Sequence, residues 1–396
     1  MGPLAGVRVL DLTSVILGPF ATHILATMGA EVIKVETPDG DNMRDVGPMK
    51  HQKMGHIFLH LNRGKKSIVL DLKSVEGKKA ILALVKTVDV FISNIRLQAL
   101  ERLGLGYEDL RQMHPQLIYV SCSGFGQDGI NAQKPAYDDL IQAAVGLPWL
   151  MQEYGIEEPR YVPTTIGDRV TGLYSVNAVT AALYAREKTG QGQRVIVPMF
   201  EALTQFVLGD HMAGETYLPA IGKAGYQRLI SPHRKPYATK DGYISTLIYN
   251  DKHWKSFFEA IEQPHRYQET IFCSHANRAT NIDQVYAELA ILMKARTTQE
   301  WRTLFDQFDI PNQTVNSIHD LIHDEHLKSK DFIVEEQHPT EGMIRVMRDP
   351  VDWSATPTSH QLLPTPTLGQ HTAEVLRSLG YLDDEIQAVL KTGMPS

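Results

Sequence analysis

From Val7 to Gly124, short apolar runs alternate with stretches in which apolar positions recur every three or four residues. The runs "VRVLDL" (7–12), "EVIKVE" (31–36), "SIVLDL" (67–72), "DVFISN" (89–94) and "LIYVSCSG" (117–124) predict strands. Between the first two, "PFATHILATMG" (19–29) predicts a helix ending at Gly29, and Ser74 opens another helix after the third. Strands alternating with helices imply right-handed crossovers and a largely parallel sheet covered on both faces. Ligands of such sheets gather beyond the carboxyl ends of the strands.

The texture changes after Gln205. "KPYATKDGYISTLIY" (235–249) predicts a hairpin turning at Lys240-Asp241-Gly242, followed by capped helices, with Asn281/Gln284 and Thr297/Glu300 each spaced as a capping box. "IVEEQHPTEGMIRVMRDPVDWS" (333–354) reads as strands and turns, and "TAEVLRSLGYLDDEIQAVLKTG" (372–393) as one or two helices. The expected fold class is α/β. Residues 1–204 form the first part of a large parallel-sheet domain, 205–226 a linker, 227–325 an inserted smaller α/β domain, and 326–396 a linker and C-terminal return to the large domain.

A chain of 396 residues, 43% of them hydrophobic, can bury the cores of two domains. The net charge of −7 argues against an extended nucleic-acid surface. Two cysteines are too few for a disulfide framework, and no apolar run approaches the ~20 residues of a membrane span. The N-terminus lacks the features of a signal peptide, so a soluble, cytoplasmic protein without membrane partners is expected.

Several chemistries can be weighed at this level. Glu36 ends the second strand where a ribose-binding acid would sit, but the first turn is "TSVILGPF" and not G-x-G-x-x-G, which excludes a nicotinamide dinucleotide. "RGKKS" (63–67) precedes a strand and lacks the upstream glycine of a P-loop, so it reads as a basic turn. His319, His323 and His326 have helical spacing but suit a solvated helix or turn better than a metal site, and no metal is expected. Cys122 has no cationic neighbour in sequence to activate it and reads as a buried thiol. Asp168, in "PTTIGDRVTGLYSV" (163–176), stands at the start of a helix apolar on nearly all sides, which is therefore expected to be buried. The aspartate either caps that helix or is held there, ionised by the positive end of the helix dipole, to react. Gly167 would leave a ligand room to approach.

Five stretches together resemble the class III CoA-transferases: "LDLTSVILGPFATHILATMGAEVIKVE" (10–36), "NRGKKSIVLDLK" (62–73), "AYDDLIQAAVGL" (136–147), "GDRVTGLYSVNAVTAALYAREKTGQGQRV" (167–195) and "LGQHTAEVL" (368–376). The resemblance implies a Rossmann-like large domain and an interlocked homodimer. It also implies that Asp168 is the nucleophile, with CoA or acyl-CoA as substrate, no permanently bound cofactor, and a carboxylate acceptor. By the same resemblance Ile16, Leu17, Leu70, Lys73, Asn94, Ile95, Arg96, Arg102, Lys134 and Tyr137 are expected to contact CoA. Gly167, His233 and Arg234 would contact the acyl group, with Arg234 holding the distal carboxylate of a dicarboxylate such as succinate. Two departures from formyl-CoA transferase argue against a formyl or oxalyl substrate. Ile16 stands where that enzyme has glutamine, and its glycine-run loop has no counterpart here. The alternatives are a racemase of the α-methylacyl-CoA type, which would need a histidine base where Tyr137 stands, and a non-catalytic CoA-binding protein.

Overall fold

A computed structural model of the chain describes residues 2–359 and 361–393, so Met1, His360 and 394–396 of the expected domain spans lie outside the described residues. In chain order the elements run β1 (Arg8–Leu12), α1 (Leu17–Thr27), β2 (Glu31–Glu36), α2 (His56–Leu61), β3 (Lys65–Val69), α3 (Val75–Val85) and β4 (Val90–Ser93). They continue through α4 (Leu97–Arg102), α5 (Tyr107–Met113), β5 (Ile118–Ser123), α6 (Asp138–Ala144), α7 (Leu147–Glu153), α8 (Ile166–Thr189), β6 (Arg194–Pro198) and α9 (Met199–His211).

The six strands form one parallel sheet in the order β3-β2-β1-β4-β5-β6. This is the doubly wound Rossmann order, and its direction reverses between β1 and β4. The buried strand residues explain their apolar runs: Val9, Leu10, Ile33, Val90, Phe91, Ile92, Ile118 and Val120 are all fully buried. Ser74 caps α3 as its sequence predicts, its hydroxyl accepting from the Gly77 amide at 2.9 Å.

The chain divides into two compact units. The first contains residues 1–145, 162–206 and 326–396, and the C-terminal helices Thr372–Ser378 and Asp383–Thr392 contribute Val375, Leu376, Ile386 and Val389 to its core. The hairpin Ile333–His338/Gly342–Met347 belongs to the same unit. The second unit contains 207–325 and also Gly146–Tyr161, a segment that the sequence boundaries leave in the large domain. Helix α7 explains the assignment, because it packs on the short helix Gln227–Ile230 of that unit. A three-stranded antiparallel sheet and an aromatic core of Trp254, Phe257, Phe258, Phe272, Trp301 and Phe305 hold this unit together.

Two local expectations resolve differently. Thr297 and Glu300 form a reciprocal capping box. Asn281 does not, because its side chain turns back and donates to the Asn277 carbonyl at 2.8 Å.

Candidate active site

Where the sheet order reverses, the loops after β1 and β4 are clasped together. The Ser14 amide donates to Asn94 Oδ1 at 3.0 Å, and Asn94 Nδ2 donates back to the Ser14 carbonyl at 2.9 Å. Beyond this clasp lies a cavity of about 370 Å³ at the carboxyl ends of β1, β4 and β5. Its lining includes Ser14, Asn94, Arg96, Gln127, Lys134 and Asp168. The turn entering α1 is held in an unusual conformation, with β-branched Val15 at φ 73°. Its amide donates to Asp41 Oδ1 at 3.1 Å, and Asp41 Oδ2 accepts from buried Lys34 at 2.9 Å. Lys34 also donates to the Thr13 carbonyl at 2.7 Å, so one buried ion pair grips both ends of the turn.

Asp168 sits in the first turn of α8, on the cavity wall, and is 8% exposed. It is not the cap of that helix. The Asp168 amide donates at 2.9 Å to Oδ1 of Asp138 at the start of α6, so the capping carboxylate comes from 30 residues earlier in the chain. The expectation that the helix dipole keeps Asp168 readily ionised is also corrected. Burial, reinforced by the negative charge of Asp138 and only partly opposed by Arg169, pushes its carboxyl up to about 7. The Arg169 guanidinium lies over the Phe20 ring, 4.5 Å from its centroid.

Helix α8 is not buried on nearly all sides. Thr171, Gly172, Ser175, Val176, Val179 and Ala182 face inward, whereas Leu173 is 50% and Tyr184 67% exposed. Small residues line the inner face because α1 packs closely there. A Cβ on Gly172 would come within 2.8 Å of the Phe20 ring.

The structure brings Leu17, Asn94, Ile95, Arg96, Lys134, Tyr137 and Asp168 together around the cavity. The other expected contacts lie elsewhere. Ile16 is buried just before α1 and outside the lining, and Gly167 is buried beneath Asp168. Leu70 is 1% exposed in the hydrophobic core, where its side chain packs against other apolar groups and not the cavity. Lys73 and Arg102 are exposed and outside the lining. His233 and Arg234 belong to the second unit, in a turn where the Arg234 amide donates to the Ser231 carbonyl at 3.0 Å and the Arg234 carbonyl accepts from Tyr154.

Ser14, Gln127 and Gln133 also line the cavity and were not anticipated. Ser14 carried a topological signal, because it follows β1, which borders the reversal point; Gln127 and Gln133, in the segment between β5 and α6, carried none. Cys122 is buried, with its thiol pushed up to about 12 by desolvation, which leaves it an unreactive lining group. Glu36 is fully engaged, forming a two-pronged bridge to Arg44 and accepting from Ser67 and the Asp41 amide. The His319 and His323 rings lie 4.7 Å apart with their planes inclined at 60°, while His326 falls in a separate helix after a break. Among the described residues no group of three or more potential ligands is placed to hold a metal ion.

A Rossmann-type sheet with a cavity at its reversal point, cationic side chains in the lining and a buried carboxylate at a helix start is the arrangement in which doubly wound folds hold their ligands. The family model for CoA-transferase family III matches residues 4–372, and the chain belongs to that family. It is 33% identical over 402 residues to succinyl-CoA:glutarate CoA-transferase of Mus musculus, covering 100% of this chain and 90% of that protein. It is 32% identical over 403 residues to succinate–glutarate CoA-transferase of Agrobacterium fabrum, covering 96% of each. The solved structure of a CAIB/BAIF family protein from Brucella suis superposes with a TM-score of 0.81 at 28% identity, covering 96% of this chain and 99% of that one. The protein is a CoA-transferase acting on CoA thioesters. No helix among the described residues is long and apolar enough to cross a membrane.

Proposed function

We propose that this enzyme moves CoA between two carboxylic acids through covalent intermediates on Asp168, one acid being a dicarboxylate such as succinate. The observation that carries the reading is the Asp168 carboxylate itself, buried yet on the wall of the cavity. Its oxygen attacks the thioester carbonyl of the donor, the C–S bond breaks, and CoA leaves as the thiolate. The resulting mixed anhydride is attacked at the aspartyl carbonyl by that thiolate, which releases the donor acid and leaves an aspartyl-CoA thioester. The acceptor carboxylate then displaces the thiolate to form a second anhydride. Attack by the thiolate on the acceptor's carbonyl regenerates Asp168 and yields the new acyl-CoA. Both nucleophiles are anions, so the cycle needs no Ser-His or Cys-His pair.

Arg96 and Lys134 in the lining are suited to the phosphates of CoA, and Lys73 and Arg102 are assigned to the same moiety from the family resemblance. A dicarboxylate is supported by the succinyl-CoA:glutarate and succinate–glutarate activities named for the mouse and Agrobacterium relatives. Arg234 is assigned to its distal carboxylate. Incubation with succinyl-CoA followed by borohydride or hydroxylamine is expected to modify the peptide carrying Asp168, read by mass spectrometry. Turnover with that peptide unmodified would refute the covalent route.

The reading includes a homodimer. Its support is the outward side of α8, where the large apolar residues Leu173 and Tyr184 are exposed in the single chain on either side of Asn177, a placement that favours burial against a partner. Light scattering at micromolar concentration is expected to give twice the chain mass of 44.4 kDa. A mass equal to that of one chain would remove this part of the proposal.

A further inference from the structure

The segment that presents Asp168 is held by another acid. Asp138, at the start of α6 and 9% exposed, accepts the Asp168 amide on Oδ1 at 2.9 Å. Its other oxygen, Oδ2, accepts from Gln142 Nε2 at 2.7 Å. Gln142 in turn accepts the Val162 amide at 2.9 Å, so α6 grips the chain on both sides of the approach to α8. Gly167 is part of the same arrangement, since a Cβ there would stand 3.1 Å from Asp138 Oδ1. Two carboxylates thus converge on one helix start, and only one of them receives its amide hydrogen bond.

We infer that Asp138 is a positioning residue that aims Asp168 through its backbone amide and, by like charge, favours the acylated state of Asp168 over the free carboxylate. The argument rests on the assignment of Asp168 as the nucleophile. A free Asp168 anion repels Asp138, whereas an aspartyl anhydride or aspartyl-CoA thioester is uncharged at that position. The repulsion is present before attack and relieved by it, so it raises the ground state more than the transition state. The same repulsion makes Asp168 a more basic, and hence a stronger, carboxylate nucleophile.

The other groups around Asp168 leave Asp138 as the acid responsible. From its own helix, Arg169 acts in the opposite direction. Helix α9 presents Met199 and Leu203 beside Gly167, and α1 presents Leu17 and Phe20 beside Gly172. The titratable group of α1, His23, is turned to the Arg63 carbonyl and is held neutral by burial. Strand β5 presents Cys122, a neutral thiol. Arg96, Lys134 and Tyr137 complete the titratable lining of the cavity.

The test compares kcat/KM for acyl-CoA across about pH 5 to pH 9 in the full-length enzyme, its Asp138→Asn variant and its Asp138→Ser variant. Both substitutions retain an oxygen that can accept the Asp168 amide while removing the charge. The acid limb of the unmodified enzyme, set near pH 7 by Asp168, is expected to move down by about one pH unit or more in both variants. The rate on the plateau near pH 8 is expected to fall roughly tenfold or more, because the driving repulsion is gone. A purely structural Asp138 would lower stability and leave the limb in place, and that result in folded variants overturns the inference. If neither variant folds, carbon-13 titration of the unmodified enzyme decides. A carboxyl resonance assigned to Asp168 that titrates near pH 7 and perturbs Asp138 supports the coupling, and an isolated titration near pH 4 overturns it. Failure to trap an intermediate on Asp168 would instead refute the nucleophile assignment, so the two ideas fail separately.

Discussion

Asp168→Asn is expected to abolish CoA exchange and at the same time to stabilise the enzyme at pH 8. The loss of exchange follows from removing the proposed nucleophile, because an amide cannot form the anhydride. The gain in stability follows from linkage. In the folded enzyme the Asp168 carboxyl is raised from 3.8 to about 7, first by burial and then by the charge of Asp138. A raised folded value means that protonated Asp168 favours the fold. That contribution is complete below about pH 4 and lost as pH rises through about 7. Above pH 7 the ionised side chain is a net cost, with an upper limit of roughly 4 kcal/mol set by the interval between the two values. The neutral isostere removes that cost. Denaturation midpoints measured at pH 8 and pH 5 should show a large advantage for the variant at the higher pH, narrowing by more than half at the lower one. An active variant would exclude Asp168 as the nucleophile. An inactive variant with no stability gain at pH 8 would show that the site does not strain the carboxylate.

Asp41→Ala is expected to damage both the fold and acyl-CoA binding, by two separable routes. Lys34 and Asp41 are buried partners, at 0% and 1% side-chain exposure, and removing the acid takes away the foremost of the three carboxylates, with Asp11 and Glu36, that hold this interior cation. Breaking a buried pair in this way typically costs about 3–5 kcal/mol, which chemical denaturation would read directly. Asp41 also accepts the amide of Val15, the residue held at φ 73° beside the cavity. Without that bond Val15 can relax to negative φ, shifting Ser14 and Leu17 in the lining, and KM for acyl-CoA should rise by roughly tenfold. Adding Lys34→Met removes the weakened buried cation but also its pull on Asp11 and Glu36, and should recover part of the stability, while KM stays high. Recovery of both by the double variant would show that the turn is not what Asp41 contributes to binding.

The parallel-sheet domain was largely legible because its signals are local. Strands covered on both faces are apolar along their whole length, so β1, β2, β4 and β5 appear in the sequence within a residue or two of their observed limits. The Ser74 cap and the Thr297/Glu300 box involve groups three residues apart, a separation that sequence spacing reports faithfully. Asn281 shows the limit of such spacing. It stands between two consecutive helices and its amide served the one before it, a choice that residue order does not encode.

The active site divides along the same line. Sequence by itself determined that Asp168 stands in the first turn of a long helix ending at Gly190, and the five family-like stretches marked it as the acid to watch. It did not show that α8 leaves Leu173 and Tyr184 outward, that Leu70 belongs to the core, or that Ser14 and Gln127 face the cavity. Nor did it show that Asp138 takes over the capping role, or that burial and then the charge of Asp138 raise the Asp168 carboxyl. The reason is physical. A cap or a strand depends on a few neighbouring dihedrals, whereas the charge state of a buried carboxyl is a sum over groups that reach it from β5, α6, α8 and α9, and only folding brings those groups together.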